Sequence, residues 1–144
     1  MGACAVITNP RTRGKEGMPE YEFLRKNADS FYRNAKQLLE QGEYNLAAFN
    51  LEQAMQLMLK YLLASRLGEF PRTHSLRRLF REIKDLCPRL WEFYEDNASV
   101  VGNVESAYIA SRYYPVDFEE IEVREMLSAY EEFLEVLRGC LGNP

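Results

Sequence analysis

The 144-residue sequence contains one histidine, one tryptophan and three cysteines, and each scarcity removes a class of chemistry. His74 stands alone, and Cys4, Cys87 and Cys140 are widely separated and far from any CxxC spacing, so neither a zinc site nor another transition-metal site has its ligands. The odd, scattered cysteines give no disulfide framework either; small buried or tail thiols are the expectation. No stretch reaches the roughly 18 consecutive apolar residues of a membrane span, and the short apolar run from Ala3 to Ile7 is too brief for a secretory signal. These absences predict a cytoplasmic protein with no membrane partner. A Gly-rich phosphate loop and a pair of catalytic carboxylates are also missing. No segment alternates polar and apolar residues, which removes a half-buried sheet.

Net charge is −4, against nonspecific binding of nucleic acid by the whole surface. The distribution is uneven. Between Arg66 and Arg89 the cations Arg66, Arg72, Arg77, Arg78, Arg81, Lys84 and Arg89 outnumber Glu69, Glu82 and Asp85. From Glu92 to Arg138 twelve carboxylates face only Arg112, Arg124 and Arg138. The middle can hold an anion; the end cannot.

What is present is helical periodicity. From Leu46 to Ala64 the chain is apolar on nearly every side, with no Gly or Pro inside, which predicts a buried central helix. Its polar residues Glu52, Gln56 and Lys60 are spaced i, i+4, i+8, one narrow line expected to face water. Asn50 and Gln53 lie off that line and need partners wherever they are buried. A preceding helix carries the stripe Tyr21, Leu24, Ala28, Phe31, Ala35 and Leu38, with Pro19 in its first turn and Gly42 at its end. The short link makes these two helices antiparallel neighbours.

After Arg66 comes a loop set by Gly68 and Pro71. Thr73 is then expected to cap a third helix with an apolar face of Leu76, Leu79, Phe80 and Ile83. Pro88 opens a short helical turn that brings Trp91 and Phe93 towards the core. A further helix begins near Asn97 or Ser99 and stops near Tyr114, because Pro115 disfavours helix at the residue before it. Asp117 with Glu120 reads as a capping box for a last helix whose stripe is Phe118, Ile121, Leu127, Tyr130, Leu134 and Leu137. The prediction is an all-α, up-and-down bundle of about five helices. Residues 1–18 read as a flexible N-terminal tail, 19–139 as the bundle and 140–144 as a short C-terminal tail.

Three stretches carry a family resemblance: AKQLLEQGEYNLAAFNLEQAMQLMLKYLL, FPRTHSLRRLF and SRYYP. In this order they resemble the HEPN family, small helical domains of archaea, bacteria and some animals, over roughly residues 20–138. The resemblance implies a homodimeric bundle, frequently paired with a minimal nucleotidyltransferase and found in toxin–antitoxin-like systems. Ribonuclease members of the family resemble one another in an Arg followed, after four to six residues, by a His at the start of the last helix. Here Arg66 precedes His74 by too many residues, Arg72 by too few, and Arg112 has no His after it. What the resemblance then implies is a non-catalytic module that binds ATP or another nucleotide, a nucleotidyltransferase-type protein, or both, with RNA a less favoured partner. The alternative is a metal-independent ribonuclease in which His74 acts with Arg72, or with Arg112 across a dimer.

Nucleotide binding needs cations and donors around an apolar slot. The candidate ligand-binding residues are Arg72, His74 and Ser75 at a helix N-terminus, Arg112, Tyr113 and Tyr114 as an arm with stacking rings, and Lys60 and Gln53 on the central helix. Each has a plainer reading: His74 as a cap or hydrogen-bonded core residue, Arg72 paired with Glu69 or with the acidic last helix, and Tyr113 and Tyr114 as a buried corner before Pro115. Asn50 and Gln53 can equally satisfy one another across a dimer axis.

Overall fold

A computed structural model describes residues 21–113 and 117–142, less the side chains of residues 111 and 112. Among the described residues the chain forms six helices and no strand: α1 (Glu22–Glu40), α2 (Tyr44–Leu67), α3 (Leu76–Glu82), α4 (Pro88–Asp96), α5 (Ala98–Tyr113) and α6 (Glu120–Cys140). The segment read as a helical turn after Pro88 is a helix of its own, nine residues long. The predicted tail over 1–18, Pro19 and the turn at Pro115 lie outside the described residues.

The periodicities account for most of the packing. The expected stripe on α1 buries Leu24, Ala28 and Ala35, and Leu39 joins them. Gly42 then takes φ +79°, a left-handed turn that other residues rarely adopt, and the Glu43 N–H closes back on Leu38 O at 2.9 Å. That turn folds α2 against α1 as the most extensive helix pair in the molecule, and α5 and α6 cover other sides of α2. Leu76, Leu79, Phe80 and Ile83 are fully buried, as the third-helix pattern predicts. Phe80, Phe93, Tyr130 and Phe133 interlock where α3, α4 and α6 meet, with ring centroids 5.6–6.2 Å apart.

Four local expectations are corrected. Glu52, Gln56 and Lys60 do not face water: they are 0, 4 and 8% exposed. The loop after Gly68 and helix α5 lie over that side of α2, and the three side chains bond one another instead.

Thr73 does not cap α3. Its Oγ1 accepts the Ser75 N–H at 3.1 Å, and Ser75 Oγ accepts the Arg78 N–H at 3.2 Å as the true cap. The last helix begins later than expected because Asn45, in the first turn of α2, bonds both Asp117 and the Phe118 N–H and holds that stretch extended. The capping box is therefore Glu119 with Glu122, and Ile121 turns outward, 66% exposed. Val123, Met126 and Phe133 take up the inner stripe with Tyr130, Leu134 and Leu137.

The cysteines are the fourth correction. Cys87, at the start of α4, and Cys140, the last residue of α6, form a disulfide with Cα atoms 5.9 Å apart. The two are separated by 53 positions, and no local pattern signals that the bundle brings their helix ends together.

Candidate functional site

The polar line of α2 is the foundation of the site. Residues at i, i+4 and i+8 stack along one helix face, so Gln56 sits between Glu52 and Lys60. Gln56 Nε2 donates to Glu52 Oε2 at 2.8 Å, and Lys60 Nζ donates to Gln56 Oε1 at 3.0 Å. Gln53 Nε2 donates to the other oxygen of Glu52 at 2.7 Å. Burial pushes the Glu52 carboxyl up to about 7, and the amide donors and Lys60 only partly offset it. Burial likewise lowers Lys60, against the pull of Glu52.

The loop ahead of α3 sits over this line. The Phe70 ring lies 5.6 Å from Lys60 Nζ in a cation–π contact, and His74 Nδ1 lies 3.3 Å from Gln56 Oε1. An amide oxygen only accepts, so Nδ1 is the donor in this contact. The imidazole stacks on Tyr108 of α5 with centroids 4.4 Å apart, and Tyr108 in turn faces Phe49 of α2 at 6.4 Å.

Beside the His74–Tyr108 stack lies a cleft of about 480 Å³ between α3, α4 and α5, lined also by Ser75, Arg77, Tyr94 and Glu105. Arg77 Nε donates to the Tyr94 hydroxyl at 3.2 Å, which holds the guanidinium at the mouth. Glu105 Oε1 accepts the Arg77 N–H at 3.1 Å. Two first-turn donors of α3, the Arg77 and Arg78 N–H groups, are thus engaged by a carboxylate and by Ser75. The arrangement offers flat aromatic faces, one guanidinium and one carboxylate, which suits a planar, hydrogen-bonding ligand.

Of the residues singled out in the sequence, Gln53, Lys60 and His74 come together around Glu52 and Gln56. Ser75 is beside them but committed as the α3 cap. Arg72 is exposed on the loop. Tyr113, at the end of α5, is 68% exposed. The Arg112 side chain and Tyr114 lie outside the described residues. Missed by sequence reasoning were Glu52 and Gln56, read as a solvent line, and Tyr108, Arg77, Tyr94 and Glu105. The i, i+4, i+8 spacing carried a signal for the first two: a single polar line on a helix apolar elsewhere marks a place where something polar docks. The other four are joined only by the fold.

Among the described residues no group of three His, Cys, Asp or Glu is placed to hold a metal ion. No helix there is long and apolar enough to cross a membrane.

A family model for the HEPN domain matches residues 21–140. The chain belongs to the HEPN family. The crystal structure of TT1696 from Thermus thermophilus is similar, with a TM-score of 0.68 and 22% identity, over 85% of this chain and 99% of that one. That likeness supports the all-helical HEPN fold. No curated protein matches the chain.

Proposed function

We propose that this HEPN protein is a cytoplasmic, non-catalytic module that binds a nucleotide such as ATP, a minimal nucleotidyltransferase partner, or both, within a toxin–antitoxin-like pair. The observation that carries this reading is the setting of His74. Its ring is stacked on Tyr108 and its Nδ1 is held by Gln56, which fixes it as one wall of an aromatic cleft. A base stacks against such a pair, and Arg77, which lines the same cleft, supplies a cation for a phosphate. The Arg–His spacing of the family's ribonuclease members is absent from this chain, which supports the non-catalytic reading over RNA cleavage.

The homodimer belongs to the same proposal. Asn27, Asn34 and the buried Asn50 line an amide-rich depression on the α1–α2 face with Arg33 and the half-buried Phe31, and Asn34 Nδ2 donates to Asn50 Oδ1 at 3.1 Å. Such a patch can pair with its own copy across a two-fold axis.

The test is thermal unfolding of the pure protein against ATP, other nucleotides and short RNA, with and without magnesium. A ligand at a hundred times its dissociation constant adds roughly 2.7 kcal/mol, a visible rise in Tm. A rise with ATP that disappears in Tyr108→Ala and Arg77→Gln supports the reading. RNA cleavage in EDTA that is lost in His74→Ala would replace it with the ribonuclease alternative. Light scattering that gives only a 16.8 kDa species removes the dimer.

A further inference from the structure

A second cleft, about 590 Å³, lies between α1, the C-terminal half of α2 and the end of α6, and shares no lining residue with the His74–Tyr108 cleft. Three guanidiniums line it, those of Arg25, Arg66 and Arg138. Two carboxylates line it as well, so the balance of charge depends on which of these groups are already engaged.

Both carboxylates are engaged. Glu22 takes Arg25 in a 2.7 Å ion pair and also accepts the Tyr61 hydroxyl at 3.0 Å. Asp29 is ion-paired with Arg33, one turn further along α1. Arg66 and Arg138 face no such partner. Arg66 donates to the Cys140 carbonyl, a neutral acceptor at the end of α6, and Arg138 forms no hydrogen bond or ion pair among the described residues. Two uncompensated guanidiniums, with most of their donors unused, therefore border a cleft whose carboxylates are neutralised.

The rest of the lining mixes the half-buried Tyr61, Ser65 and Leu141 with an apolar floor of Met58, Leu134 and Leu137, which are 9, 6 and 1% exposed. Tyr130 lies one turn before Leu134 on the same stripe of α6. Its hydroxyl is buried with no hydrogen-bond partner, the single side-chain atom so placed among the described residues. Asp29 and Arg138, both on the cleft, are among the charges that reach it. A buried phenol normally finds a partner, and this hydroxyl, though not itself on the cleft lining, leaves a donor unused within electrostatic reach of Asp29 and Arg138.

We propose that this cleft binds a small organic phosphate, with Arg66 and Arg138 on the phosphate oxygens and the apolar body of the ligand against Met58, Leu134 and Leu137. The planar fork of a guanidinium matches two oxygens of a phosphate at once, and two such forks favour a dianion over a monoanion. The apolar wall favours an organic ester over the bare ion.

The experiment is calorimetric titration of the full chain at low salt with phenyl phosphate, inorganic phosphate and benzoate. Phenyl phosphate binds more tightly than either of the others, and Arg138→Gln weakens it about tenfold, the loss of one charge-assisted contact. Arg66→Gln gives a similar loss, and Arg124→Gln, on α6 but outside both clefts, leaves the affinity unchanged. Thermal midpoints of the unliganded variants confirm that each is folded. The proposal is overturned by no binding of phenyl phosphate up to about 10 mM, by equal binding of benzoate, or by unchanged affinity in Arg138→Gln. Each outcome is independent of whether ATP acts at Tyr108.

Discussion

The two sides of α2 teach different lessons. One side, with Ala47, Leu51, Met55, Leu59 and Leu62, is held by close packing alone, and every one of these residues is essentially without solvent exposure. The other, Glu52, Gln56 and Lys60, is almost as dry but is held by a directed chain of hydrogen bonds under Phe70 and His74. Packing tolerates any apolar side chain of the right volume. The polar side tolerates only partners with matching donors and acceptors, and it retains a group whose charge responds to pH.

The largest effect lies in the covalent link between the start of α4 and the end of α6. Removal of the Cys87–Cys140 disulfide, by reduction or by the Cys87→Ser/Cys140→Ser pair, releases the end of α6. It lowers stability by about 4 kcal/mol if loop-closure entropy governs it. Denaturant unfolding with and without reductant measures this, and an unchanged midpoint would show that packing alone holds α6. On the packed side itself, Leu59→Ala leaves a cavity and costs about 3 kcal/mol, equally at pH 5 and pH 8.

The polar side behaves in the opposite sense. Glu52 gives up its proton near 4.5 in the unfolded chain and near 7 in the fold, so between those values the folded state binds more protons and stability falls as pH rises. The ionised, buried carboxylate costs about 3 kcal/mol above pH 7 and nothing below about 4.5. Glu52→Gln keeps the shape and removes the charge, so it stabilises the protein by up to that amount at pH 8 and leaves it unchanged at pH 4. Paired melts at the two pH values check this, and equal shifts at both would place Glu52 in contact with water. The smallest effect is that of His74→Ala, which removes one ring stack and one hydrogen bond and costs about 1–2 kcal/mol.

Legibility in the sequence followed the same division. The apolar stripes of α1, α2 and α3 were readable because burial on a helix repeats every three or four residues, a local property. The turn at Gly42 was readable because a left-handed residue has a chemical signature. The direction of the Glu52–Gln56–Lys60 line was not. Charged residues face water unless a partner is supplied, and the cover comes from a loop and a helix distant along the chain. His74 stands out as the lone imidazole, but its stacking partner Tyr108 follows 34 positions later, and no local pattern joins the two. The starts of α3 and α6 fall later than the sequence predicts because contacts made by Ser75 and Asn45 set them.

By itself the sequence determined that this is an all-helical HEPN chain with a buried α2 and a basic middle ahead of an acidic end. Periodicity, turn chemistry and charge order are all properties of neighbouring residues. Only the tertiary structure decided that the polar line of α2 is sealed, that Cys87 meets Cys140, and that Arg66 and Arg138 border one cleft. Each of those joins groups far apart in the chain, and nothing in a local pattern records which distant surface will cover it.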